Sequence, residues 1–447
     1  MQFPPSFETR MQTQLGEAWN SFQHAHDQPS PISIRLNPHK HADRSLGEAI
    51  PWTSAGYYLK ERPSFTLDPT FHGGAYYVQE ASSMFLEQAL KQSVDLTQSL
   101  RVLDLCAAPG GKSTHLLSLL NKKSLLVANE VIRSRASILS ENIQKWGHAN
   151  VVVTNNDPDN FKRLKGFFDV MVVDAPCSGE GLFRKDQEAM NEWSPENTNL
   201  CSQRQQRILA DVWPALKENG VLIYCTCTFN EEENENNLLR WSKEHPVEFV
   251  DLTIDPAWGI ETIRKENVIG YRCYPHRVKG EGFFISVFRK KEEENPVSIS
   301  TKQNFQRAGK KTTEKIQDWF GNINDYSFLV QDDLLIMIPE RQYQEIEFIA
   351  HYLKVVTKGT AVAALKHEKL VPEHSLALSI DLNRKAFKEI ALDLPQALAY
   401  LRKENLIIGE GERGFTLVSY QDVPLGWVNL LGNRLNNNYP SSWRIRM

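Results

Sequence analysis

Leu100-Arg-Val-Leu-Asp-Leu-Cys-Ala-Ala-Pro-Gly-Gly-Lys-Ser-Thr114 contains a complete turn of an α/β sheet. Residues 100–105 form an apolar run of strand length, 106–112 turn the chain, and 113–120 continue with helical spacing. Gly110 and Gly111 let the backbone turn tightly and come close to a ligand. The same alternation continues outward. Further strands are expected at 124–129, 151–154, 168–173, 221–225, 247–252 and 283–289. Helices are expected at 132–146 and at 197–218, the latter closed by Gly220. Strand and helix in alternation predict a doubly wound, Rossmann-like parallel sheet. The last strand follows a loop instead of a helix and is expected to run antiparallel beside its neighbour.

The chain of 447 residues is long enough for two to four domains, and 41% hydrophobic with 24% charged residues is ordinary globular composition. No run approaches the roughly 20 apolar residues of a membrane span. Residues 1–10 lack the basic start and apolar run of a secretory signal. Six cysteines, none beyond Cys273, make no disulfide framework, so a cytoplasmic protein is expected. The net charge of −4 neither announces nor excludes a nucleic-acid binder, because local basic surface decides that.

Five segments are expected. Residues 1–95 form an α+β unit with an alternating strand at 31–38, whose polar face carries Arg35 and Asn37, and a helix at 76–90 entering the next domain. Residues 96–290 hold the Rossmann-like sheet, and the charged and Ser/Thr-rich run 291–315 reads as a solvated linker. Residues 316–384 hold a hairpin at 326–339 with Asp332-Asp333 near its turn, a helix at 341–353 and a strand at 360–365. Residues 385–447 hold a helix near 395–403 and short strands at 415–420 and 427–431.

Ligands of open α/β sheets bind at the carboxyl edge of the strands. Glu130 closes the second strand, about 20 residues beyond the glycines, where a carboxylate can hold ribose hydroxyls. Asp157 follows the third strand, where an adenine amino group would be met. A phosphate-binding P-loop is the rival for 106–113, but its first glycine would fall at Cys106. Two more strand ends carry cysteine: Asp174-Ala-Pro-Cys-Ser-Gly179 and Tyr224-Cys-Thr-Cys-Thr-Phe229. A thiolate is a strong nucleophile, and Lys112 could add positive charge that favours it. Cys225 is expected in the core, and Cys106, Cys201 and Cys273 read as structural. No paired spacing suits a metal. Spacing alone does not decide which of Cys177 and Cys227 attacks. Arg272-Cys-Tyr-Pro-His-Arg-Val-Lys-Gly-Glu-Gly-Phe-Phe284 mixes basic and aromatic residues suited to phosphates and unstacked bases.

Together, the 104–112, 174–179 and 224–229 motifs resemble the RsmF/NSUN family of RNA (cytosine-5) methyltransferases. The resemblance implies S-adenosylmethionine as cofactor, met by Cys106, Ala107, Ala108, Pro109, Gly110, Gly111, Lys112, Glu130, Arg135, Asp157 and Asp174. It implies Cys227 as nucleophile, Cys177 as the residue that helps release the product, and Asp174 at the ring N3 of the base. Arg35, Asn37, Arg272, His276 and Arg277 would meet RNA, and 179–185 would be a flexible wall of the base pocket. The C-terminal segments resemble a ferredoxin-like connector and a PUA-like domain, which favours the bacterial branch acting on small-subunit ribosomal RNA. Transfer RNA is the runner-up, and an inactive RNA-binding assembly factor is the rival from another class. A monomer with no membrane partner and no metal is expected.

Overall fold

The computed structural model describes residues 1–40, 47–300, 305–367, 369–406, 412–432 and 434–446. Two amphipathic helices, Pro5–Leu15 and Trp19–His26, begin the chain, the first with proline at its tolerant first turn. Their apolar sides (Phe7, Met11, Phe22) pack against Phe183, Trp193, Phe229 and Tyr274 of the central domain. A small antiparallel sheet follows: β1 (Ile32–Leu36), β2 (Gly56–Leu59) and β3 (Tyr76–Val78), in the order β2-β1-β3. The helix expected at 76–90 is therefore three elements. Tyr76, Tyr77 and Val78, stiff aromatic and β-branched residues, pair with β1, and the regular helix begins only at Leu86.

The central sheet is built from β4 (Arg101–Asp104), β5 (Leu125–Asn129), β6 (Val151–Thr154), β7 (Phe168–Asp174) and β8 (Leu216–Thr226), all parallel. Their near-continuous apolar runs fit a sheet covered on both faces, with one buried cluster on each. The chain then adds β9 (Val247–Phe249), β10 (Glu261–Lys265), β11 (Val268–Cys273) and β12 (Phe283–Lys290). The expected antiparallel strand is β12, beside β8, while the β10–β11 hairpin extends the sheet beyond the expectation. The helix expected to reach 218 ends at Val212. Pro214 cannot donate to the helical ladder, a short turn takes its place, and Leu216 already belongs to β8.

The C-terminal third packs onto this sheet. β13 (Tyr326–Gln331) and β14 (Leu334–Pro339) form the expected hairpin, with Asp332 and Asp333 both left-handed at its tip. After the helix Tyr343–Tyr352, β15 (Val355–Lys358) pairs with β6 and closes the edge of the central sheet. β16 (Thr360–Lys366) and β17 (Lys369–Pro372) complete a separate antiparallel sheet in the order β13-β14-β16-β17. Among the described residues the strands of this sheet lie in sequence order with no split βαβ crossover, which corrects the ferredoxin-like expectation for 316–384. The run expected as a solvated linker is also partly packed, with Val297, Ile299 and Phe305 against the central core. The last sheet joins β18 (Lys388–Ala391), β19 (Gly414–Tyr420), β20 (Val423–Leu430) and β21 (Leu435–Asn437), with the helix Leu394–Arg402 packed beside it. Among the described residues, no helix is long and apolar enough to cross a membrane.

Candidate active site

β4, β5, β6, β7 and β8 all point their carboxyl ends at one cleft of about 660 Å³. At the first of these ends Asp104 is buried and accepts a 2.6 Å hydrogen bond from Ser113 Oγ. Burial pushes its carboxyl up to about 7. The following turn is held by its backbone: Ala107 N–H donates to Asn129 O, and the Pro109 carbonyl accepts from Asn142 Nδ2 at 2.8 Å. Gly110, at φ +119°, stands before the helix Gly111–Leu119 in a conformation that disfavours any side chain. Cys106, Ala108 and Lys112 face the cleft, while Ala107, Pro109, Gly110 and Gly111 shape the turn behind it.

Glu130 and Asp157 also line the cleft. The Glu130 carboxylate accepts from Ile132 N–H at 2.9 Å and lies 3.5 Å from Arg135, which donates in turn to the Ala108 carbonyl at 2.9 Å. Asp157 accepts from the Asp159 amide, fixing the short turn after β6. Burial pushes the Cys106 thiol up.

At the other end of the cleft four of the expected residues converge. Lys112 Nζ lies 2.7 Å from Asp174 Oδ2 and 5.2 Å from the centre of the Phe283 ring. Burial opposes the charge on Lys112, but attraction from Asp174 outweighs it and raises the pKa of the ammonium. Cys177 Sγ and Cys227 Sγ are 3.2 Å apart, and the Cys227 amide points at Cys177 Sγ at 3.3 Å. The hydrogen bond to Cys227, with burial, pushes the Cys177 thiol well up and keeps it protonated. Cys225 is buried in the core, as expected from its strand position.

The segment 179–185, expected as a flexible wall, is pinned. Gly181 N–H donates to the Cys227 carbonyl, Trp193 Nε1 donates to Glu180, and Arg184 pairs with buried Glu281. Three of the five residues expected to meet RNA are buried. Arg35 donates to Gln79, Thr114, Ser118 and the Gly111 carbonyl and lies over Trp146, while Asn37 donates to the Gly74 and Trp146 carbonyls. β1 is the middle strand of its sheet and packs against the helix Gly111–Leu119, so its polar face is a domain junction, not a solvent face. Arg272 is paired with buried Glu235 and donates to the Tyr274 hydroxyl. Arg277 is exposed beside Glu261, and His276 is half-buried against Phe22 and Tyr274. Burial lowers the His276 pKa to about 4, so it is a neutral ring at physiological pH.

The cleft also takes in residues the sequence did not single out for it: Glu80, Asn129, Ile132, Pro158, Arg204, Arg207, Ile208 and Phe283. Arg204, Arg207 and Ile208 line the cleft from one helix, Pro195–Val212, and no local motif marks them. Asn129 was legible as the end of an expected strand.

Residues 91–289 match the family described as 16S rRNA methyltransferase RsmB/F, residues 3–81 match the N-terminal domain of 16S rRNA methyltransferase RsmF, and residues 387–445 match the methyltransferase RsmF PUA domain. The chain is 31% identical to ribosomal RNA small subunit methyltransferase F of Shewanella loihica, over 88% of this chain and 83% of that protein. It is 30% identical to the protein of the same name from Escherichia coli, over 98% of this chain and 96% of that one. Among solved structures, a methyltransferase homolog from Pyrococcus horikoshii is similar at 27% identity and a TM-score of 0.53, covering 62% of this chain and 91% of that one. NSun6 from Pyrococcus horikoshii, solved with SFG, shares the fold at 19% identity and a TM-score of 0.53 over 65% of this chain and 99% of its own. Matches to all three parts of the molecule, together with full-length relatives at this identity, show that the chain belongs to the RsmB/F family of RNA methyltransferases.

Proposed function

We propose that this chain moves a methyl group from S-adenosylmethionine to carbon 5 of a cytosine in small-subunit ribosomal RNA, through a covalent bond between Cys227 and carbon 6. The observation that carries the reading is the pair of sulfurs 3.2 Å apart beside the Lys112–Asp174 ion pair, at one end of the strand-edge cleft.

S-adenosylmethionine is the methyl donor of this family, and the cleft suits it. Glu130 would hold the ribose hydroxyls and Asp157 the adenine amino group, both of which line the cleft. When bound, the cofactor supplies an electrophilic methyl group on its sulfonium sulfur.

Carbon 5 of cytosine is too weak a nucleophile to take that methyl unaided. Addition of the Cys227 thiolate to carbon 6 moves electron density to carbon 5 and to ring N3. The Lys112 ammonium, held beside Asp174, can donate a hydrogen bond at N3 as negative charge builds there. After methylation, the carbon 5 proton leaves and the carbon 6–sulfur bond breaks, with its electron pair returning to Cys227. Cys177, a protonated thiol at hydrogen-bond distance, can give its proton to the departing sulfur and take up the carbon 5 proton in exchange. The family resemblance makes Cys227 the attacking sulfur and Cys177 the release group. Arg277 and His276 belong to the RNA side of the site. A base must be unstacked to reach these sulfurs, which lie inside a pinned wall.

The PUA-type segment at 387–445 and the full-length relatives favour ribosomal over transfer RNA, and the intact set of Lys112, Asp174, Cys177 and Cys227 favours an enzyme over an inactive assembly factor. One chain carries the whole set, in keeping with a monomer, and the proposed substrate places the enzyme in the cytoplasm.

The test is incubation with labelled S-adenosylmethionine and, separately, small-subunit rRNA, assembled small subunits and transfer RNA, followed by mapping of 5-methylcytosine. In parallel, Cys227→Ala should form no protein–RNA adduct, and Cys177→Ala should accumulate one. Methyl groups on another atom, or adduct in Cys227→Ala with none in Cys177→Ala, would overturn the reading.

A further inference from the structure

We infer that Glu233 is a positioning residue that sets Cys177 for the release step, acting through Ser178; the inference rests on the assignment of Cys177 to release made above.

Glu233 lies in Asn230-Glu-Glu-Glu-Asn-Glu235, a run that reads as a solvated acidic loop. Its side chain is instead fully buried. Among the described residues no cation pairs with it, whereas Glu235, two positions on, is paired with Arg272. A buried carboxylate without a cation persists only where hydrogen-bond donors replace its water. Here every donor belongs to, or leads to, the Cys177 loop. The Ser178 amide donates to Glu233 Oε2 at 2.9 Å and the Ser178 hydroxyl donates to Oε1. Gln205 Nε2 donates to Oε2 at 3.0 Å and also to the Pro176 carbonyl at 3.0 Å. Cys177 is therefore clamped from both sides, through Pro176 before it and Ser178 after it, and both arms meet on one carboxylate.

The Cys227 loop has a different anchor. Asn234 accepts from Thr226 Oγ1 at 2.6 Å and donates to the Thr228 carbonyl at 2.9 Å, bracketing Cys227 in the same manner. Apart from the contact of the two sulfurs themselves, the clamps touch where Ser178 Oγ meets Thr228 Oγ1 at 3.0 Å. Adjacent residues of one loop thus hold the two sulfurs separately. Loss of Glu233 frees the Cys177 arm and leaves the Asn234 bracket in place. The consequence falls on the exit from the covalent state, because the attacking sulfur keeps its anchor.

The experiment compares Glu233→Gln and Ser178→Ala with the wild type and with Cys177→Ala. Glu233→Gln turns one acceptor into a donor that faces the Ser178 or Gln205 donors; Ser178→Ala keeps the amide arm and removes the hydroxyl, which leaves Glu233 Oε1 and the Thr228 hydroxyl without that partner. Cofactor affinity and thermal unfolding check that each variant is folded. If Glu233→Gln does not fold, Ser178→Ala decides alone. Single-turnover methyl transfer, steady-state turnover and the fraction of protein trapped as RNA adduct are then measured. The inference expects single-turnover transfer within about threefold of wild type, turnover lowered by about tenfold or more, and adduct accumulating as in Cys177→Ala. Wild-type turnover in both variants would overturn it, as would parallel loss of single-turnover transfer and adduct, which would mean Glu233 acts on attack or on the fold at large. Failure of Cys177→Ala itself to accumulate adduct would instead fault the release assignment, so the two failures are distinguishable.

Discussion

Replacing Arg35 by alanine should unfold the junction between the N-terminal unit and the cofactor loop before it weakens any contact with RNA. The guanidinium donates to Gln79 Oε1 at 2.8 Å, to Thr114 Oγ1 at 2.6 Å, to Ser118 Oγ at 3.2 Å and to the Gly111 carbonyl at 3.3 Å, and its carbon lies 4.6 Å from the centre of the Trp146 ring. Burial lowers its pKa to about 9, so it remains a cation at neutral pH. Two opposing effects set the magnitude. Leaving several buried acceptors without a donor costs about 1–3 kcal/mol for each that water cannot reach, and the emptied volume adds about 2 kcal/mol or more. Removing a buried, unpaired charge returns several kcal/mol. The balance is a net loss of about 2–4 kcal/mol, a large share of the roughly 5–15 kcal/mol that holds a domain together. Because Gly111 and Thr114 stand in the first turn after the cofactor loop, S-adenosylmethionine affinity should fall with stability. Denaturant unfolding, calorimetric cofactor titration and RNA binding at matched salt measure the three effects. Unchanged unfolding and cofactor affinity, together with weaker RNA binding and a salt slope reduced by about one, would refute the structural role and restore Arg35 to the RNA surface.

A chain cut after Lys291 should not survive as a free catalytic domain: it loses β15 from the edge of the central sheet and Ile346, Phe348 and Ile349 from its core, about 4.5–9 kcal/mol of apolar burial, and exposes β6 as an unpaired edge. Size-exclusion chromatography and thermal unfolding should find it aggregated or unfolded, and a monodisperse fragment with wild-type melting and cofactor affinity would contradict the packing described. Lys112→Met should lower single-turnover methyl transfer by about 100-fold, by removing the cation from Asp174, while leaving cofactor affinity within about threefold; equal losses in both quantities would place Lys112 in cofactor binding alone.

The central sheet was legible because its strands are apolar on both faces and each ends in a residue with chemistry to offer: Asp104, Glu130 after β5, Asp174, and the cysteines after β7 and β8. Such runs depend on local sequence, and the carboxyl-edge rule converts them directly into a site. What the sequence concealed depends on packing between segments. Arg35 and Arg272 have the composition of RNA contacts, yet one stacks on Trp146 and the other pairs with Glu235, partners far away in sequence. Val297, Ile299 and Phe305 are too sparsely placed among Ser, Thr and Lys to look like packing residues, yet they are half-buried against a core made of segments distant in sequence. Glu233 was hidden for the same reason: an acidic run reads as solvated until the donors of the Cys177 loop are seen to converge on it. The early end of the helix at Val212 was the exception, since Pro214 was visible throughout.

The sulfur pair follows from the register of two strands. β7 and β8 run parallel with Asp174 opposite Cys225, so their chains leave the sheet at the same level. Three residues beyond Asp174 comes Cys177, and two beyond Cys225 comes Cys227, so two short paths from neighbouring strand ends lead to sulfurs 3.2 Å apart. Strand alternation sends Cys225 into the core, and β8 ends at Thr226, which frees Cys227 to turn into the cleft. A slip of one residue between β7 and β8 would exchange the faces of the whole strand and separate the sulfurs. A sheet held from both edges resists such a slip. β12 pairs with β8 along six residues on one side, and β15 closes the far edge beyond β6. β15 carries no candidate site residue of its own, yet it belongs to the same continuous sheet whose β7–β8 register sets the spacing of the two sulfurs.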